Sequence, residues 1–181
     1  MYFSLIYIFV FCLVTAITRW TVDYSEAKQI SAYSGNYRRG RSGKIKGVVL
    51  HDTAGLNAFE WFKNPKAKVS AHYVIEQDGR IIQMVSEKDT AWHAGIVSRD
   101  SKFANQPSPN SWLLGIEFTR DRKNANVMPE IQIKAGLKLV KDMKRRYGAG
   151  FNVYTHDQFQ TTRVCPGPKF PIHRFKEIVD G

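Results

Sequence analysis

The chain has 181 residues, of which 43% are hydrophobic and 13% aromatic, and its formal net charge is +11. This length suits one globular domain, and the hydrophobic content excludes an intrinsically disordered chain. Of the two cysteines, Cys12 lies in an apolar N-terminal run and Cys165 near the C-terminus, so we expect no disulfide between them. The composition therefore excludes a small domain that is stabilised by disulfides.

The positive charge lies entirely in the part of the chain from Arg19 onwards. A basic protein attracts polyanions, and charge alone does not choose between nucleic acid, anionic lipid, teichoic acid and lipopolysaccharide. The sequence contains neither a basic, glycine-flanked aromatic motif of the RNA-binding kind nor a helix-turn-helix signature. We therefore expect no specific nucleic-acid partner, whereas anionic envelope polymers or lipids remain candidates.

Residues 1–18 contain no charged side chain and are mostly apolar. They fit a signal peptide, with Val14-Thr15-Ala16 as a small-residue cleavage site. They equally fit a retained membrane anchor, since ~17 to 20 apolar residues can just span a bilayer. The Ser-, Tyr-, Gly- and Arg-rich residues 19–43 are predicted to be a linker, and residues 44–181 the folded domain.

Strands and helices are predicted to alternate along the domain. Apolar runs predict strands at 45–51, 71–77, 80–85, 112–118 and 152–155, and the Asp78-Gly79 pair predicts a hairpin between the second and the third. Helices are predicted at 57–64, 130–147 and 172–179. In the long helix an i+4 series should line the buried face: Ile131, Ala135, Leu139, Met143 and Tyr147. This order favours an α/β fold with a central mixed sheet flanked by helices.

Two histidines, His51 and His156, end the first and last predicted strands, and Cys165 follows nine positions after the second. Strand ends present side chains to clefts, and two imidazoles with one thiolate suit a catalytic zinc site with an open fourth position. Spacing alone equally allows two unrelated histidines and one core cysteine.

Five stretches of the sequence favour the zinc site over unrelated residues. They are Val48-Val49-Leu50-His51-Asp52-Thr53-Ala54, Val69-Ser70-Ala71-His72-Tyr73-Val74-Ile75, Ala91-Trp92-His93-Ala94-Gly95, Leu114-Gly115-Ile116-Glu117-Phe118, and Thr155-His156-Asp157 with Arg163-Val164-Cys165-Pro166-Gly167-Pro168. In this order they resemble the zinc-dependent N-acetylmuramoyl-L-alanine amidase family, which includes phage lysozyme-amidases and peptidoglycan recognition proteins. The resemblance implies zinc bound by His51, His156 and Cys165, the last in a position where some members have Asp.

The resemblance also implies catalytic roles for two charged residues. Glu117 matches the glutamate that certain bacterial members use as general base, although a carboxylate at the edge of the core would look the same. Arg163 stands where many relatives have a lysine that stabilises the oxyanion, although a solvated loop arginine is the simpler alternative.

Other positions separate branches of the family. One branch has a catalytic tyrosine at the position of Ala71, so the chain resembles the glutamate branch, and Tyr73 should not inherit the role. His72 is expected to support the structure rather than bind metal. Trp92 and His93 are expected to border the substrate cleft, although Trp92 could equally pack beneath its loop.

These observations lead to one main functional expectation. We expect a monomeric zinc hydrolase that cuts the amide bond between N-acetylmuramic acid and L-alanine of peptidoglycan. It would be exported or membrane-anchored, through residues 1–18, and act at the bacterial cell wall as a phage endolysin, an autolysin or an effector. The alternative is a peptidoglycan-binding recognition module without catalysis.

Overall fold

The structure is a computed structural model that describes residues 20–53, 55–120 and 128–180. The two interpretations of residues 1–18 therefore lie outside the described residues. The described strands are β1 (Lys28–Gln29), β2 (Tyr37–Arg38), β3 (Gly47–Asp52), β4 (Tyr73–Ile75), β5 (Ile81–Gln83), β6 (Thr90–Ala91), β7 (Leu113–Phe118) and β8 (Asn152–Thr155). The described α-helices are α1 (Ala58–Lys63), α2 (Glu130–Tyr147) and α3 (Ile172–Asp180). None of these helices is long and apolar enough to cross a bilayer.

A six-stranded mixed sheet in the order β1-β5-β4-β7-β3-β8 forms the centre of the fold. Only β4 and β5 pair antiparallel in it, and the turn between them contains Gly79 at a φ of 85°. That positive φ favours glycine, as the Asp78-Gly79 pair predicted. The β2 and β6 strands form a separate antiparallel pair. The expected mixed sheet with flanking helices is confirmed.

The two faces of β3 have different neighbours. Val48 and Leu50 lie in the main core, which α2 and α3 cover. Val49 belongs instead to a smaller cluster with Leu113 and Phe159. Because successive strand residues point to opposite faces, His51 shares the side of Val49 and points away from α2 and α3.

Helix α2 has the predicted bounds, and four of the five residues of its predicted face lie in the main core or pack against it, but Ile131 does not. Ile131 is 59% exposed, whereas the buried set is Gln132, Ile133, Gly136, Leu139, Val140 and Met143. Each i+4 step advances about 40° beyond a full turn at 3.6 residues per turn, so a long i+4 series winds off any straight face. The series therefore leaves the core at its N-terminal end.

The prediction of a linker at residues 19–43 is wrong for its described part. Strand β1 pairs with β5, and Tyr24 belongs to the main core. The side-chain amide of Asn36, which is fully buried, donates to the carbonyls of Phe62 and Asn64, both at 2.9 Å. A hydrophilic composition suggested a solvated segment, but its polar side chains satisfy carbonyl groups far away in the sequence. The folded domain therefore begins before residue 44.

Candidate functional site

The side chains of His51, His156 and Cys165 converge on one point. The Nδ1 atoms of His51 and His156 are 3.1 Å apart, and Cys165 Sγ lies 3.7 Å from His51 Nδ1. All three ligand atoms lie within 4.8 Å of one another, and all three residues are buried. The structure thus brings together the three predicted ligands, and it presents their donor atoms to a shared centre.

Parallel strand pairing explains this convergence. Strand β3 lies between β7 and β8, and all three end at the same edge of the sheet. In register, His51 pairs with Glu117, and Leu50 pairs with Thr155, directly before His156. His156 was expected to end a strand but instead opens a short 3-10 turn, which a reciprocal capping box between Thr155 and Gln158 fixes.

Asp52 holds the loop that carries Cys165. Its Oδ2 accepts from the Gly167 N–H at 2.9 Å and from Arg120 Nη1 at 2.8 Å. The Asp52 and Arg120 side chains are both buried, where an ion pair with several hydrogen bonds is held firmly. This pair was not predicted from the sequence, although an acidic residue directly after a candidate ligand histidine was a signal for it.

His93 lies behind the candidate metal-binding triad of His51, His156 and Cys165. Its Nδ1 is 3.2 Å from His51 Nε2, and the residue is only 8% exposed. A Cβ on Gly115 would stand 2.5 Å from His93 Cγ, so glycine there makes room for the ring. When His51 uses Nδ1 as a ligand, its Nε2–H can donate to His93 and fix the tautomer. These contacts orient His51, and His93 also lines, with Trp92, a cavity that adjoins the triad, as expected for a residue that borders the cleft.

Burial also sets the protonation of the three imidazoles. It lowers the pKa of His51 well below the usual range, and the neighbouring His156 and His93 rings add to the effect. Burial, followed by the charge of Arg163, lowers the pKa of His156. Burial lowers the pKa of His93 to about 3. At neutral pH these rings are therefore uncharged, the form in which histidine binds a metal.

His72 belongs to a different network. Its Nδ1 accepts from the Gly115 N–H at 2.9 Å, and its Nε2 lies 2.8 Å from Arg41 Nη2. Arg41 also donates to the carbonyls of Glu87 and Asp89. As expected, His72 is thus placed as a structural residue rather than within the triad.

A cavity of about 690 Å³ opens over the triad. Glu117, half-buried, and Arg163, exposed, both line it, together with the three ligands. Its rim includes exposed apolar side chains: Leu56, Trp61, Val69 and Val164. An adjoining cavity of about 300 Å³ has Trp92 in its wall and shares Glu117 and Arg163 with the first. The expected catalytic residues and Trp92 therefore surround one open cleft.

Comparison with known proteins gives concordant matches. N-acetylmuramoyl-L-alanine amidase A of Achromobacter lyticus is 35% identical over 130 residues, which cover 70% of this chain and 66% of that relative's own length. The crystal structure of a selenomethionine AmpD derivative superposes with a TM-score of 0.70 at 23% identity, covering 88% of this chain and 99% of that one. AmpDH3 of Pseudomonas aeruginosa, in complex with anhydromuramic pentapeptide, gives a TM-score of 0.61 at 26% identity, with coverages of 88% and 66%.

A match to a protein-family model agrees with these comparisons. The family model described as N-acetylmuramoyl-L-alanine amidase matches residues 41–168, a span that contains every predicted site residue. The chain therefore belongs to the N-acetylmuramoyl-L-alanine amidase family.

Proposed function

We propose that this chain hydrolyses the amide bond between N-acetylmuramic acid and the L-alanine of the stem peptide in peptidoglycan. The observation that carries the proposal is the convergence of three buried ligand atoms beside Glu117, at the floor of an open cleft. Family membership supports the reaction class, and the anhydromuramic pentapeptide bound to AmpDH3 supports a muropeptide substrate. An intact ligand triad argues against the alternative of a recognition module without catalysis.

The donor set supports zinc as the metal. With Zn–N of about 2.0–2.1 Å and Zn–S of about 2.3 Å, tetrahedral geometry places two nitrogens about 3.3 Å apart and nitrogen and sulfur about 3.6 Å apart. The corresponding distances here are 3.1 Å and 3.7 Å. Two neutral imidazoles and one thiolate suit this borderline-soft cation, and three protein ligands leave one position open.

In this proposal Glu117 moves the proton. Zinc, when bound, would polarise the scissile carbonyl and lower the pKa of the attacking water, ideally to ~7. Glu117 lines the cleft beside the triad, and its carboxylate accepts a proton from that water as the oxygen attacks the carbonyl carbon. As the C–N bond breaks, Glu117 returns the proton to the L-alanine nitrogen, so that protons balance.

Arg163 stabilises the negative charge that develops on the carbonyl oxygen. Its charge already reaches His156, since it is among the causes that lower the pKa of that ring. A positive charge that lines the cleft favours the oxyanion over the neutral carbonyl. His93 positions His51, and the exposed indole of Trp61 and the wall residue Trp92 offer faces to sugar or peptide.

For biological context we propose action at the bacterial cell wall after export or membrane attachment through residues 1–18. The uncharged apolar run supports attachment or export. The net charge of +11 supports attraction to anionic polymers or lipids of the envelope. A phage endolysin, an autolysin and a secreted effector all fit. One chain supplies the whole triad, in keeping with a monomer.

Hydrolysis of a defined muropeptide tests the proposed reaction. The zinc-loaded chain, the chain treated with a chelator and the chain resupplied with zinc are each incubated with N-acetylmuramyl pentapeptide. Mass spectrometry should detect free pentapeptide with an L-alanine N-terminus in the first and third reactions only. Intact substrate in all three, with tight binding retained, would instead establish the recognition module.

A further inference from the structure

A second cavity lies at the opposite end of the same strands. It has a volume of about 1080 Å³, larger than the cavity over the triad. Its floor is at the beginning of β3, β7 and β8, whereas the candidate metal-binding triad is at their carboxyl ends. Backbone hydrogen bonds fix this floor, since the Lys46 N–H donates to Trp112 and the Lys46 carbonyl accepts from Asn152. One side of the cavity is thus formed by hydrogen-bonded backbone at the start of the sheet.

Four lysines surround this cavity: Lys44, Lys46, Lys102 and Lys176. All four are exposed, and no aspartate or glutamate is among the described residues of its lining. Within the described part of the chain none of the four ammonium groups has a carboxylate within ion-pair distance. By contrast, Lys63 on α1 is paired with Glu60. The cavity therefore concentrates positive charge that the fold itself does not neutralise.

Aromatic rings form the floor between these lysines. Phe103, Trp112 and Tyr154 line the cavity and are each half-buried. The Trp112 indole N–H donates to the Pro107 carbonyl at 3.0 Å, which fixes the ring. The Lys102 ammonium group lies 5.1 Å from the centre of the Phe103 ring. Flat amphipathic rings beside cationic groups suit a ligand with both apolar ring faces and negative charges.

The ring geometry discriminates between two classes of polyanion. Tyr154 stands at 84° to Phe103 and at 85° to Trp112, so the three rings do not form a row of parallel faces. Single-stranded nucleic acid uses such platforms to stack successive bases. A pocket with half-buried rings at steep angles to one another and with peripheral ammonium groups suits one sugar ring with flanking phosphates.

We propose that this lysine–aromatic pocket binds a phosphate-bearing glycopolymer of the cell envelope, and thereby holds the chain on its wall substrate. The sugar would rest on the faces of Trp112 and Tyr154, and phosphates would meet the four lysines. Binding there needs no hydrolysis and no metal, so this proposal and the proposed amidase activity can fail separately.

Two charge-matched double variants test the site. Lys46→Gln/Lys102→Gln removes two charges from the pocket, and Lys134→Gln/Lys138→Gln removes two exposed charges from α2. Affinity for glucosylated polyglycerol phosphate is measured by calorimetry at fixed salt. We expect the pocket pair to weaken binding about tenfold or more, and the α2 pair about twofold or less, since only the former would lose direct phosphate contacts. Equal losses of affinity in the two variants would show that only net charge matters, and would overturn the proposed binding site.

The aromatic floor is tested with a second variant and a second polymer. Tyr154→Leu retains most of the apolar volume and removes a ring face on which the sugar would rest. The native chain should bind the glucosylated polymer several-fold more tightly than unsubstituted polyglycerol phosphate, and this variant should reduce that preference. Equal affinity of the native chain for both polymers would overturn a sugar-binding floor. Thermal unfolding and zinc content confirm that each variant is folded.

Two further probes separate the alternative sources of phosphate. Oligothymidylate represents single-stranded nucleic acid, and phosphatidylglycerol vesicles represent a lipid headgroup. Both should bind more weakly than the glucosylated polymer at the same salt concentration. Tighter binding of either probe, lost in the pocket pair but not in the α2 pair, would assign the pocket to that ligand and contradict the glycopolymer.

Discussion

The two ends of strands β3, β7 and β8 carry functional groups that differ in burial and charge. At the carboxyl end the three candidate metal ligands are buried, the imidazoles are neutral, and Asp52 with Arg120 fixes the cysteine loop. At the amino end the charged groups are exposed lysines around half-buried rings. Burial fixes geometry to fractions of an ångström, as a metal and its reaction require, whereas exposed charges adapt to a flexible polymer. The comparison predicts that substitutions at one end leave the function of the other end, hydrolysis or polymer binding, unchanged.

The largest effect is expected from Cys165→Ser. This substitution removes the sulfur ligand, and serine is a poor zinc ligand at neutral pH. The native chain should contain about one zinc, and the variant should lose most of it together with turnover. Atomic emission spectroscopy of the dialysed proteins measures the metal. Affinity for glucosylated polyglycerol phosphate should be unchanged, and full zinc with full activity would rule out this ligand set.

Glu117→Gln should separate catalysis from metal binding. It keeps the shape of the side chain but removes the base, so turnover of muropeptide should fall by ~10²- to 10⁴-fold. Zinc content and substrate affinity should remain at native values, because Glu117 is not among the ligand atoms. A turnover number close to that of the native chain would show that another group moves the proton.

Arg163→Ala should have a somewhat smaller effect. Loss of one oxyanion-stabilising group costs ~10²- to 10³-fold, mainly in kcat. Arg163→Lys keeps the positive charge and should recover most of the activity, although it lacks the planar donors of arginine. Steady-state kinetics on the same muropeptide distinguishes the two variants. If both lose activity equally, or neither does, charge at this position is not what matters.

His93→Gln should have the smallest effect at the carboxyl end. Loss of a partner that orients a metal ligand typically reduces metal affinity 10- to 100-fold. Competition with a chromophoric chelator measures this affinity, and His173→Gln on α3, exposed and without an assigned role, serves as the control. Native zinc affinity in His93→Gln, with a raised KM instead, would return His93 to the substrate-binding role that the resemblance implies.

Sequence alone predicted the carboxyl end better than the amino end. The candidate ligands lie in motifs that resemble those of a known family, whereas their spacing alone left a metal site and unrelated residues equally open. Strand order brings them together. The lysine–aromatic pocket has no such motif, because its residues come from widely separated parts of the chain and become neighbours only in the fold. The sequence supplied their net charge but not their arrangement.

Long-range hydrogen bonds account for the prediction that differed most from the structure, and for one contact that was not predicted from the sequence. Arg41 donates to the Glu87 and Leu113 carbonyls, 46 and 72 positions away, so a hydrophilic segment became part of the domain. His93 contacts His51 across 42 positions, in space that Gly115 leaves free. Neither partner can be read from local periodicity or composition, because both depend on which strands become neighbours.

X-ray absorption at the zinc edge tests the central claim most directly. The claim is that His51, His156 and Cys165 together bind zinc and leave one position open. The spectrum of the zinc-loaded chain should fit one sulfur at about 2.3 Å and two imidazole nitrogens at about 2.0–2.1 Å, with one further light atom. The sulfur shell should disappear in any zinc that Cys165→Ser retains. A first shell of nitrogen and oxygen only in the native chain would contradict the proposed site.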